Sequence, residues 1–101
     1  MQQDAVIEWA PFRTKPGVTA EAVIAAADEV QKDFLAHQPG FVSRELLRGG
    51  DGEWTDLVVW ESRAAVDAAM QKVADDPVCG RYFSLMDMGE HRTAAYSCLG
   101  G

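Results

Sequence analysis

Two strand-like runs, residues 41–48 (FVSRELLR) and 53–61 (EWTDLVVWE), flank the cluster Gly49-Gly50-Asp51-Gly52. A short Gly/Asp turn between two such runs specifies an antiparallel hairpin, because these residues accept the unusual backbone angles of a tight turn. The segments on either side of the hairpin then set the fold. Before it, residues 20–37 carry Val23, Ala27, Val30 and Phe34 at steps of four, three and four, the apolar stripe of a helix. Thr19 is its expected N-cap, and Pro39-Gly40 stops it. His37 falls in the last turn, where an imidazole suits the carbonyl end. Further upstream, residues 5–13 (AVIEWAPFR) read as a strand, with Pro11 marking an edge, a bulge or the strand's end.

After the hairpin, Ser62 caps a second helix over residues 63–74, with Val66, Ala69, Met70 and Val73 on its buried side. Asp75-Asp76-Pro77 interrupts the pattern. Pro77 suits the first turn of a further helix capped by Asp76 and running to about Asp87, and residues 91–99 (HRTAAYSCL) form the last strand. The order is β-α-β-β-α(α)-β, the ferredoxin-like or split βαβ arrangement: an α+β fold with both helical regions on one face of a four-stranded antiparallel sheet. No third layer is left for the other face, so a second copy's sheet is its simplest cover, and a homodimer through sheet faces is expected.

The length, 101 residues, fits one domain spanning 1–101. A net charge of −7 and a pI near 4.6 argue against nucleic acid and against an anionic membrane surface. No apolar run approaches the ~20 residues that span a bilayer. Cys79 and Cys98 fit no metal spacing and read as two reduced thiols. The polar Met1-Gln2-Gln3-Asp4 lacks the pattern of a signal peptide, so the cytoplasm is the expected compartment. Gly49–Gly52 has neither the lysine nor the following helix of a phosphate loop. No cofactor and no metal is expected.

On the third strand, Trp54, Asp56, Val58 and Trp60 share one face, and Thr55, Leu57, Val59 and Glu61 share the other. A buried aspartate between two tryptophans raises its pKa unless a cation or donor meets it, which makes Asp56 a candidate site. The alternative is a structural aspartate bonded to backbone or paired with an arginine. Glu45, counted on the same face as Phe41 and Leu47, is a second carboxylate that could face inward, with Arg44 or Arg92 as its partner. Arg81 and Tyr82 sit on the short helix, where an arginine could hold an anionic substrate; the alternative is an exposed Arg81 and a half-buried Tyr82. His91 sits beside Glu90 and Arg92 and is either a site histidine or part of a solvated strand start.

Three segments carry a resemblance: Lys15-Pro-Gly-Val-Thr, Gln38-Pro-Gly-Phe-Val-Ser-Arg-Glu-Leu-Leu-Arg48 and Val58-Val-Trp-Glu-Ser62. In this order and spacing, over roughly residues 5–98, the chain resembles the antibiotic biosynthesis monooxygenase (ABM) domain of the dimeric α/β barrel class. The resemblance implies two ferredoxin-like subunits whose sheets close a barrel. It also implies that Trp60 lines a substrate pocket, where core packing is the other reading of that side chain. Aromatic-ring oxygenases of the family place an asparagine four residues before this tryptophan. Asp56 stands there instead, and an ionised aspartate accepts a proton but donates no hydrogen bond. The heme-degrading branch requires an iron-ligating histidine that aligns at about Cys79, and a tryptophan near Ala69. No histidine lies between His37 and His91, so that chemistry is not expected.

The leading expectation is therefore a cofactor-independent monooxygenase of an aromatic phenol or quinol. Asp56 and Trp60 are its catalytic candidates, and Trp54, Tyr82, Arg81 and His91 its substrate-binding candidates. The alternative is a non-catalytic dimeric module that binds a small ligand or serves in a stress response. An acid–base isomerase, lyase or dehalogenase requires His91 in one pocket with Asp56 or Glu45.

Overall fold

The computed structural model describes residues 5–87 and 94–99. Strand β1 covers Val6–Arg13, helix α1 Ala20–Asp33, strands β2 and β3 Phe41–Arg48 and Glu53–Trp60, helices α2 and α3 Arg63–Val73 and Pro77–Phe83, and strand β4 Ala94–Ser97. The four strands are antiparallel neighbours in the order β2-β3-β1-β4, the ferredoxin-like topology.

Each expected cap forms. Thr19 Oγ1 accepts from the Ala22 N–H at 3.1 Å, Ser62 Oγ from Ala65 at 3.2 Å, and Asp76 Oδ1 from Val78 and Cys79 at 2.9 and 3.0 Å. In the hairpin, Asp51 and Gly52 have φ of 49° and 77°, and the Glu53 N–H returns to the Gly50 carbonyl at 3.0 Å. Two successive positive φ angles match the right-handed twist of the joined strands. Gly40, at φ 85°, is fixed from outside as well: a Cβ there would lie 2.5 Å from that of Ala65 on α2.

The first helix closes earlier than its pattern suggests. It ends at Asp33, and a 3₁₀ turn, Leu35–His37, completes the apolar run. Helix α3 likewise ends at Phe83 rather than near Asp87. Beyond it the backbone pairs with the end of β1: the Lys15 N–H reaches the Leu85 carbonyl at 2.9 Å, and the Asp87 N–H reaches that of Arg13 at 2.7 Å. Those amide groups serve the sheet edge, so they are lost to the helix. Pro11 keeps its register opposite Thr55 of β3. Its missing N–H points away from β3, by parity with the Ala5 carbonyl that accepts from Cys98, so no β1–β3 hydrogen bond is lost there.

The core lies between the sheet and the helices. It joins Val6 and Phe12 of β1, Trp54, Val58 and Trp60 of β3, Val23, Ala27 and Val30 of α1, Val66 and Ala69 of α2, and Cys79 and Tyr82 of α3. The opposite sheet face carries Ile7, Trp9, Leu57 and Tyr96, and Trp9 and Tyr96 are exposed.

One expectation about facing is corrected. Phe41 pairs with Trp60 but Ser43 with Val59, so two residues of β2 oppose one of β3. This bulge reverses the alternation after it. Phe41 and Arg44 both point to the helices, whereas Glu45 and Leu47 are exposed on the other face.

Candidate functional site

Asp56 lies in the middle of β3 under the helices, and the bulge brings Arg44 beside it. Arg44 Nε donates to Asp56 Oδ1 at 2.7 Å, with the two side chains 4% and 12% exposed. The rest of the guanidinium is also used. Nη1 donates to the Ala27 carbonyl of α1 at 2.9 Å, and Nη2 to the Tyr82 hydroxyl oxygen at 3.3 Å. The Tyr82 hydroxyl donates in turn to Asp56 Oδ2 at 2.9 Å. One carboxylate, one guanidinium and one phenol therefore form a closed ring that ties α1, β2, β3 and α3 together.

Both Asp56 oxygens are engaged. Burial, followed by the Asp56 charge, pushes the Tyr82 phenol well above its ordinary range, while Arg44 opposes this. Tyr82 is thus a neutral donor across the physiological range. Aromatic rings pack beside these groups in the core. Phe12 stacks on Trp54 with centroids 6.5 Å apart and meets Tyr82 edge-on at 5.7 Å. Phe41 meets Trp60 edge-on at 5.8 Å.

Trp60 is fully buried, and its indole turns toward β1, where Nε1 donates to Glu8 Oε1 at 3.1 Å. Glu8 is itself only 7% exposed. Desolvation is the main cause of its raised pKa; the Asp56 charge adds to this, while the Trp60 hydrogen bond and the Arg44 charge oppose it.

Of the residues singled out in the sequence, Trp54, Asp56, Trp60 and Tyr82 gather on the helix-facing side of the sheet. Arg81 does not join them: its guanidinium is more than half exposed and donates to Glu29 of α1 at 3.0 Å. His91 lies outside the described residues. Cys79 is buried in the core, and burial together with the nearby Asp76 pushes its thiol up to about 12. Glu8 was missed, and Arg44 was expected only as a partner of Glu45, not of Asp56. The bulge concealed Arg44. Glu8 was visible, since it interrupts the apolar row Val6, Ala10 and Phe12 in the same way that Asp56 interrupts its own.

A search of curated protein sequences gives no match. Among solved structures, the cofactor-independent oxygenase SnoaB of Streptomyces nogalater is 22% identical, with a TM-score of 0.75 over 97% of this chain and 96% of that one. A Caulobacter crescentus protein described as a candidate antibiotic biosynthesis monooxygenase reaches a TM-score of 0.77 at 15% identity, over 97% and 92%. A candidate monooxygenase of Shewanella loihica is 25% identical over the whole of both chains, with a TM-score of 0.66. These likenesses agree with the strand order and helix placement found here. The sequence pattern of the antibiotic biosynthesis monooxygenase family itself matches residues 5–74, from β1 through α2 and including Glu8, Arg44, Asp56 and Trp60, and the chain belongs to that family.

Proposed function

We propose that this protein is a cofactor-independent monooxygenase acting on a phenol or quinol. The observation that carries the reading is the polar ring of Asp56, Arg44 and Tyr82, set among Trp54, Trp60 and Phe12 beneath the helices of a family fold named for monooxygenases. A deprotonated hydroxyarene is electron-rich enough to reduce O₂ itself. The protein then supplies a dry site and orientation. When a ring C–H of the hydroxyarene becomes a carbonyl, one oxygen atom of O₂ enters the ring and the other leaves as water with the two hydrogens lost, one from that C–H and one from the O–H. Trp54 and Trp60 serve as walls. Asp56 serves as the orienting group, because Arg44 and Tyr82 already occupy its two oxygens.

The functional unit in this reading is a homodimer joined through the open sheet faces. That assembly covers Ile7, Trp9, Leu57 and Tyr96. Sedimentation of Trp9→Glu should show a monomer where the parent sediments as a dimer.

O₂ uptake with chelator-treated protein and a panel of naphthohydroquinones and hydroxyanthrones tests the activity. The expected result is consumption above the spontaneous rate, abolished in Trp60→Ala. Uptake equal to the blank for every substrate overturns the reading and favours the alternative, a non-catalytic ligand-binding dimer. The closed Asp56–Arg44–Tyr82 ring is the observation on the side of that alternative, since a fully satisfied buried network also serves purely to fix a fold.

A further inference from the structure

Glu8 is the buried ionisable group for which the ring around Asp56 has no use. It sits on the helix-facing side of β1, flanked by Val6 and Ala10 and opposite Val58 of β3 and Ala95 of β4, all apolar. Among the described residues its side chain makes one hydrogen bond, from Trp60 Nε1 to Oε1, and Oε2 has no partner. The charged groups that act on it there are Asp56 on β3 and Arg44 on β2, and neither is bonded to it. A carboxyl oxygen this deeply buried without a donor is uncommon, since buried polar atoms are nearly always satisfied. Leaving one unsatisfied carries its full desolvation penalty unless a ligand or water fills the place.

The two carboxylates on this face therefore differ in what they can still do. Asp56 has committed an oxygen each to Arg44 and Tyr82, whereas Glu8 is held in place through one oxygen and presents the other. We infer that Glu8 is where the substrate's hydroxyl docks, with Oε2 accepting its hydrogen bond and then its proton. This rests on the oxygenase reading for the chemistry that follows, but the docking itself does not. In the proton step the substrate O–H bond breaks, an O–H bond forms on Oε2, and the electron pair stays on the substrate oxygen. The indole N–H holds the carboxyl in place through Oε1. Desolvation makes Glu8 a stronger base than a solvated glutamate, as a general base for a phenol requires.

The experiment uses protein labelled with ¹³C at glutamate Cδ, under argon, with 1-naphthol as a phenol that is not turned over. The Glu8 resonance is identified by its absence in Glu8→Gln. It should titrate above the ordinary glutamate range and move when 1-naphthol is added, while the exposed Glu21 and Glu53 stay still. Glu8→Gln should bind 1-naphthol at least ~10-fold more weakly and lower kcat/KM for an accepted quinol by ~10²–10⁴-fold, erasing the acidic limb of the pH profile. If the glutamine variant does not fold, Glu8→Asp serves for both purposes, since it draws the carboxylate back by one methylene. A Glu8 resonance indifferent to 1-naphthol means that Oε2 holds water alone and overturns the inference. So does a kcat/KM with wild-type magnitude and pH dependence in Glu8→Gln. The two readings fail separately: a protein that consumes no O₂ yet shows the Glu8 response to 1-naphthol refutes the oxygenase and leaves the docking group standing.

Discussion

Two carboxylates lie on the same buried face of one sheet, yet their surroundings differ in kind. Asp56 is closed in by a guanidinium and a phenol from two other elements, with a hydrogen bond at each oxygen. Glu8, next door on β1, has among the described residues one neutral indole donor and no bonded cation. Burial of a charge is tolerated at Asp56 because Coulomb attraction and hydrogen bonds offset the lost hydration. At Glu8 that compensation is partial, so the neutral form gains ground. The contrast separates a group that fixes geometry from one that retains chemical freedom.

Breaking the closed side should have the largest effect. Arg44→Met leaves Asp56 buried without its cation and should lower stability by about 3–5 kcal/mol in urea denaturation. The double variant Arg44→Met/Asp56→Leu should recover much of that loss; a double variant no better than the single would mean that packing, not charge, governs the site. Trp60→Phe removes the one donor to Glu8 among the described residues and should cost about 1–3 kcal/mol. It should also raise the Glu8 pKa further, because the indole hydrogen bond is what favours the carboxylate; ¹³C titration reads this directly. Tyr82→Phe should be milder, about 1 kcal/mol, since Arg44 still holds Asp56.

The smallest effect is a pH dependence. Glu8 is raised above its ordinary value of 4.5, so its contribution to stability is fully present below that value and is lost as pH climbs through the folded pKa. Urea midpoints of the parent relative to Glu8→Gln should therefore fall as the pH rises above 4.5. A constant difference would mean that Glu8 ionises as freely as a solvated side chain.

Local signals in the chain were sufficient for much of this. Thr19, Ser62 and Asp76 announced three helix starts, and each cap acts within three residues of its own position. The Gly/Asp cluster announced the hairpin. The period-two alternation of β3 placed Trp54, Asp56 and Trp60 on one face, which is where they lie. The same alternation failed on β2. A bulge adds one residue without any mark in the sequence, and it moved Glu45 outward and Arg44 inward. The end of α3 was misjudged for a related reason, because the pairing of Leu85 and Asp87 with the end of β1 overrode the helical pattern.

By itself, then, the sequence determined the order of elements, the strand faces free of bulges and the family, since these follow from spacing and from bonds between near neighbours. Only the tertiary structure decided that Arg44 and Tyr82 close around Asp56, 12 and 26 residues away along the chain, while Glu8, 52 residues from Trp60, keeps one oxygen open. Which polar atoms find partners across such separations depends on how strands register and helices dock, and no local periodicity encodes that.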